Sequence, residues 1–339
     1  MIVRKFFFVP IIVVVCSCVV LDNKSEEKDE THSDQAETAP ILPSWNKSGT
    51  RDQLITFVEN STDSTDASFL KTEDRIAVFD NDGTLWAEQP FYFQLVFAID
   101  QIKAMSANHP EWSDDDAMKA AMAGDIKSLS KQGYPGLMKV LATTHAGMSE
   151  SDFSEAVTAW ADTATHPTTG KKYVEMIYQP MLELLEYLRE NDYKTYIVSG
   201  GGVAFMRAAL NDTYGIPAEQ IIGTTIKREF IDGEIVRMPE IEFIDDKKGK
   251  PVNIERIIGK KPAIAFGNSD GDLAMLQYAA SGEGSSLMGY VHHTDSIREY
   301  AYDRDSHIGK LDKGLDEAIE KNWLVVDMAK DWKTIYTNE

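Results

Sequence analysis

Three short apolar runs, each ending in small or acidic residues, constrain this chain more than any other feature. The first, Ile76-Ala77-Val78-Phe79, leads straight into Asp80-Asn81-Asp82-Gly83-Thr84. The second reads KTYIVSGGG from Lys194 to Gly202, and the third reads PAIAFGNSDGD from Pro262 to Asp272. Runs of this length suit strands buried on both faces of a parallel sheet, where ligands gather at the carboxyl ends of the strands. Helical periodicity separates them. Met181, Leu184, Leu185 and Leu188 share one helical face before the second run. Val203 to Leu210 reads as a helix after it, stopped by Asn211-Asp212 and Gly215-Ile216-Pro217, and Leu273, Met275 and Leu276 open another after the third. This alternation predicts an open α/β sheet with right-handed crossovers.

Two stretches break the rhythm. Between residues 88 and about 175 the pattern turns helical and polar, with Ser113 and Ser149 as N-caps, each followed three residues on by an acid. An insert of that size directly after the first strand reads as a helical cap over the strand's tip. The segment IIGTTIKREFIDGEIVR sets Asp232-Gly233 between two β-rich runs, which predicts a hairpin, expected here as a small accessory ribbon.

The N-terminus reads as an address. Arg4 and Lys5 precede ten apolar residues, Phe6 to Val15, too few for a membrane span of roughly 20 residues but right for a signal peptide. Val15-Cys16-Ser17-Cys18 resembles the lipobox of bacterial lipoproteins, with Cys18 as the acylated residue; an ordinary secretory signal or an uncleaved anchor is the alternative. Residues 22–48 are polar and acidic, the composition of a disordered tether. The expected organisation is a signal with lipobox at 1–18, a linker at 19–48, a core at 49–87 and 176–339, and a cap at 88–175. Net charge is −21, with 55 acids against 34 bases and no dense basic cluster, which argues against nucleic acid as a partner. An exported protein, periplasmic or on the outer surface, is the expectation, touching membrane only through its lipid anchor.

Asp80 and Asp82 leave the first strand on the same side, and like charges that close repel unless a cation or a shared proton lies between them. A set of strand-end residues that answers this describes phosphoryl transfer. Asp80 is a candidate nucleophile, Asp82 a donor of a proton to the leaving oxygen, and a hard cation such as Mg²⁺ offsets the repulsion between carboxylate and phosphate. Gly83-Thr84 gives a tight turn and a hydroxyl for the phosphate or its neighbour. Ser199, with Gly200 and the glycines after it, offers a hydroxyl and backbone N–H groups to phosphate oxygens.

In order and spacing, FDNDGT, IVSGG, a downstream lysine and GNSDGDLAML resemble the haloacid dehalogenase (HAD) superfamily, in its phosphatase branch, over residues 75 to about 280. The helical insertion is similar to that of type-1 capped members such as phosphoserine and phosphorylcholine phosphatases. The resemblance implies a Rossmann-like parallel core with an inserted helical cap, Asp80 as nucleophile and Mg²⁺ ligand, Asp82 as acid/base with its carbonyl on the metal, and Ser199 on the phosphate. The phosphate-binding lysine is then Lys247, Lys248 or Lys250; Lys250 is preferred, since Pro251 suits a helix N1 position and Ile254 and Ile257 fall on one face. Aligned with the family's GDxxxD, Asn268 stands where a metal-binding aspartate is usual and Asp272 at the second acid. An Asn carbonyl coordinates Mg²⁺ without bringing charge, and Asp270 either compensates or merely hydrogen-bonds nearby.

Past the nucleophile, Trp86 and Tyr92 are core or pocket-lining, and Glu88 and Gln89 are placed to read a polar end of the substrate. His292 and His293 show no metal-ligand spacing and read as surface or structural. The expected activity is Mg²⁺-dependent hydrolysis of small phosphate monoesters through an aspartyl-phosphate. Narrow phosphorylcholine or phosphoserine specificity is one alternative, and a non-catalytic binding lipoprotein of the same fold is another.

Overall fold

All four residues of β1 (Ile76–Phe79) are buried, as a strand covered on both faces requires. The computed structural model describes residues 40–210 and 213–337; the export signal, Cys16, Cys18 and the tether up to residue 39 lie outside the described residues. Around β1 the described strands form one sheet of order β4-β3-β2-β1-β5-β6-β7. The others are β2 (Lys194–Gly202), β3 (Ile221–Ile231), β4 (Glu234–Phe243), β5 (Ile264–Gly267), β6 (Leu287–His292) and β7 (Leu324–Asp327). Every neighbouring pair is parallel except β3–β4. Phe79 pairs with Ile197 on one side and Phe266 on the other, so Asp80, Ser199 and Asn268 emerge beside one another at adjacent strand ends.

Twelve helices accompany the sheet among the described residues: α1 (Gly49–Thr62), α2 (Phe93–Met105), α3 (Asp116–Ala123), α4 (Ile126–Lys131), α5 (Gly133–His145), α6 (Glu150–Ala161), α7 (Gln179–Glu190), α8 (Val203–Leu210), α9 (Gly249–Ile257), α10 (Leu273–Ala280), α11 (Lys313–Glu320) and α12 (Met328–Asp331). Period-2 alternation divides β1 between two cores. Ala77 and Phe79 pack with Leu184, Leu185 and Leu188 of α7 and Phe205 of α8. Ile76 and Val78 pack with Ile254 of α9, Met275 and Leu276 of α10 and Leu315 of α11. Within the insert, α2, α3 and α5 build a separate core around Ile99, Ile102, Met118 and Val140. Phe97 of α2 ties that insert to the sheet, its ring 5.9 Å from Phe153 and 5.6 Å from Phe205.

Several expectations need correction. The packed body starts at residue 40 rather than 49, because Leu42 and Trp45 are buried and Trp45 Nε1 donates to the Pro180 carbonyl at 2.9 Å. Ser149 does cap α6, accepting from Asp152 N at 3.0 Å, but α3 is capped by Asp115, since Ser113 lies inside a 3-10 turn (Pro110–Asp114). Pro251 is the third residue of α9, not the first, and Ile257 points to solvent. The hairpin is no accessory: β3 is a full member of the sheet beside β2, and its turn residues Asp232 and Gly233 sit at φ +50 and +97, the conformation a tight hairpin turn demands. No described helix is long and apolar enough to cross a membrane.

Candidate active site

Where β1, β2 and β5 end, a lysine stands between two carboxylates. Lys250 Nζ, on α9, donates to Asp80 Oδ1 at 2.6 Å and to Asp272 Oδ1 at 2.5 Å, and all three residues are buried. Burial works against the lysine's charge, but Asp272 and Asp80 outweigh it and hold Lys250 above its ordinary pKa. Burial and then the Asp272 charge push Asp80 well above the usual carboxylate range, with Lys250 opposing. Of the competing lysines, Lys247 and Lys248 are exposed, and Lys247 Nζ lies 3.7 Å from Asp246. Asp272 has both oxygens engaged: Oδ2 accepts from the backbone N–H groups of Asn268 and Ser269 at 3.0 and 3.1 Å. It thereby holds both Lys250 and the β5–α10 loop. Asp270 takes the second of its two expected roles, accepting from the N–H groups of Asp312 and Gly314 at the start of α11.

Withdrawal from water raises the Asp82 carboxyl to about 6, a value at which it gives and takes a proton near neutral pH. Trp86 Nε1 donates to Asp82 Oδ1 at 2.9 Å, and Gly83 N donates to the Trp86 carbonyl at 2.8 Å. Trp86 is thus a buried brace for the acid, packed 4.8 Å from the Phe93 ring, and does not line the substrate space as one reading had it. Ser199 Oγ accepts from Gly201 N at 3.0 Å, which leaves its own proton for another acceptor. Gly200, Gly201 and Gly202 border the same space, and Gln94 Oε1 accepts from Gly202 N at 2.7 Å.

A second cluster lies behind the nucleophile. Asn268 Nδ2 donates to Glu88 Oε1 at 2.6 Å, and Tyr302 OH donates to the same oxygen at 2.7 Å. Thr84 is fully buried, with Oγ1 3.4 Å from Asn268 Oδ1. Burial pushes Glu88 well above the ordinary carboxylate range. Gly83, at φ +73, turns the loop tightly; a Cβ there would lie 2.0 Å from Asn268 Nδ2. His293 Nε2 donates to the Gly83 carbonyl at 2.7 Å and holds that turn from β6. The oxygen donors at hand, a carboxylate from Asp80, the Asp82 carbonyl and the Asn268 amide, are those a hard divalent cation prefers. Asp80, Glu88 and Asp272 are buried with Lys250 as the sole buried lysine among the described residues, and a bound cation would favour the charged forms that burial disfavours in Asp80 and Glu88.

Asp80, Asp82, Glu88, Ser199, Lys250 and Asp272 form the floor of a cavity of about 320 Å³. Tyr92 lines it, as does Glu88. Its roof is apolar: Leu95 from α2, Leu137, Met138 and Leu141 from α5, Ile226 and Ile241 from the hairpin. Arg228 and Arg237 stand at its wall, both 2.9 Å from Glu150 Oε1, and the Arg237 guanidinium lies 3.9 Å over the Phe153 ring. His145 is buried there and held neutral, lowered to about 3 by burial and then by Arg237. Sequence reading expected a cap over this strand tip, and a structural His293 was one of its two readings, but it named neither Gln94, Tyr302 nor the side chains of the roof, because no local motif marks any of them.

The haloacid dehalogenase-like hydrolase family matches residues 77–277. No curated protein matches the chain in sequence. A solved protein of unknown function from Anaerococcus prevotii is 14% identical with a TM-score of 0.55, covering 85% of this chain and 94% of its own. One from Bordetella pertussis Tohama I is 16% identical with a TM-score of 0.48, covering 75% and 98%. A phosphoserine phosphohydrolase-like protein from Francisella tularensis is 15% identical with a TM-score of 0.38, covering 76% and 95%. The first of these likenesses, at 14% identity, speaks for the fold alone.

Proposed function

Because the chain belongs to the haloacid dehalogenase-like hydrolases, we propose that it is a Mg²⁺-dependent phosphomonoesterase acting through an aspartyl-phosphate on Asp80. The observation that carries this reading is the contact of Lys250 Nζ with Asp80 at 2.6 Å and Asp272 at 2.5 Å, at the floor of a cavity that Asp82 and Ser199 also line. Asp80 is the attacking oxygen, kept from its neighbour's repulsion by Lys250. Ser199 Oγ and the N–H groups that open α8 face the incoming phosphate oxygens. Asp82, braced by Trp86, gives its proton to the departing alkoxide and then takes one from the water that hydrolyses the acyl-phosphate. Asp80, the Asp82 carbonyl and Asn268 would hold Mg²⁺, which supplies charge neutralisation between carboxylate and phosphate when bound.

The apolar roof favours a monoester whose alcohol is apolar. It speaks against a quaternary-ammonium box, because Trp86 is buried away from the cavity and Arg228 and Arg237 bring positive charge to its wall. Hydrolysis of p-nitrophenyl phosphate with Mg²⁺, with EDTA and by Asp80→Asn tests the reading. Metal-dependent turnover lost in the variant supports it; equal turnover in the variant sinks it, and no turnover by wild type would leave the non-catalytic binding role standing. We further propose export with lipidation at Cys18, which membrane release of Cys18→Ser tests.

A further inference from the structure

Asn268 brings an oxygen but no charge to a position where the reaction's cation calls for charge, and the missing carboxylate is next to it. Glu88 Oε1 lies 2.6 Å from Asn268 Nδ2, and its other partner is the Tyr302 hydroxyl at 2.7 Å. Both partners are neutral. Burial among neutral donors disfavours the charged form of such a carboxyl, and a cation within its reach would restore it. The surroundings are shaped for it all the same. Gly83 and Gly309 sit at φ +73 and +67, and a Cβ on either would come within 2.5 and 2.0 Å of Glu88 Oε1. A purely structural acceptor for Tyr302 and Asn268 would need no charge, since a glutamine oxygen accepts equally well.

We propose that Glu88 and Asn268 together do the work of the metal-binding aspartate: Glu88 fixes the amide by taking its Nδ2–H and supplies the negative charge behind it. Asn268 Oδ1, with Thr84 Oγ1 as a distant neighbour at 3.4 Å, is the oxygen left for the cation. Glu88 is then a positioning residue that acts through Asn268 and not a reader of the substrate. The inference rests on the divalent cation of the proposed phosphatase, so its test must separate the two.

Mg²⁺ binding to the purified protein, followed by calorimetry and by the shift in Tm, makes that separation. Glu88→Gln keeps size and acceptor and removes charge; Mg²⁺ binding should weaken about 10- to 100-fold, the usual effect of losing a group behind a ligand. Restoring charge at the ligand itself, in Glu88→Gln with Asn268→Asp, should return affinity to within a few-fold of wild type. Asn268→Asp alone sets two carboxylates against each other, and should lower Tm without Mg²⁺ and enlarge the rise on adding it. Unchanged binding in Glu88→Gln, or no rescue in the double variant, would overturn the pairing while leaving the phosphatase intact. Should Glu88→Gln fail to fold, an Asn268→Asp protein as stable as wild type without Mg²⁺ would overturn it too. Wild type that binds no Mg²⁺ would overturn both readings.

Discussion

At the floor of the cavity, four carboxyl groups and a lysine converge on three adjacent strand ends. At its roof, side chains from α2, α5 and the β3–β4 hairpin meet from positions as far apart as 95 and 241. The floor is charged, buried and tied together by short hydrogen bonds such as those of Lys250. The roof is mostly apolar, with its two arginines sharing one partner in Glu150. The difference separates two jobs. The floor fixes what reaction is run, because its groups act on the phosphate, and the roof fixes which alcohol the phosphate is attached to.

Damage to the floor should therefore cost reaction and stability together. Lys250→Met leaves Asp80 and Asp272 buried without their shared cation; unfolding in urea should show a loss of about 3–5 kcal/mol, and turnover should fall for every substrate. A variant that loses activity alone would mean the lysine plays no structural part. In the roof, His145 is held neutral with a pKa of about 3, below its unfolded 6.5. The unfolded chain thus binds the proton that the folded one refuses, so this group's effect is absent above pH 6.5. Below that it removes about 1.4 kcal/mol of stability per pH unit until about pH 3. Comparison of wild type with His145→Gln at pH 7 and pH 5 isolates it from the acids of the floor: the variant should lose less stability on acidification. Equal losses would place the imidazole in water.

Smaller changes sharpen the division further. Leu141→Ala, in the roof, should raise KM for an aryl phosphate about 10-fold while moving a small aliphatic monoester little. Equal effects on both would deny the roof its role in selection. Trp86→Phe removes a donor to charged Asp82, so the acid's pKa rises from about 6, and the alkaline limb of the pH–rate profile should move up by about one unit or less. An unmoved limb would free Asp82 from that brace.

The same contrast decided what could be read from sequence. Asp80, Asp82, Ser199, Asn268 and Asp272 follow apolar runs directly, so a strand and its chemistry are written in one stretch, and the parallel order of the central sheet follows from the helices between. The choice of Lys250 reached the lysine that the structure brings to Asp80, although its Pro251 argument misplaced the helix start by two residues. β6 and β7 escaped because no chemical motif follows them, whereas β1 and β5, no longer, run straight into one. The tether's reach to residue 48 was overestimated because Leu42 and Trp45 sit inside an otherwise polar stretch. That Asn268 and Tyr302 hold Glu88 could not be read, because they stand 180 and 214 positions away. The hairpin read as a small accessory ribbon, and nothing local says that Ile226 and Ile241 line a cavity together with α5.

The nucleophile is the central claim, and a rapid acid quench during turnover of an aryl phosphate, followed by peptide mass mapping, tests it most directly. The account predicts one phosphoryl group on the peptide that holds Asp80, removed by hydroxylamine as an acyl-phosphate must be, and missing from Asp80→Asn. A phosphoryl group on Ser199, or turnover with no covalent adduct on any peptide, would contradict it.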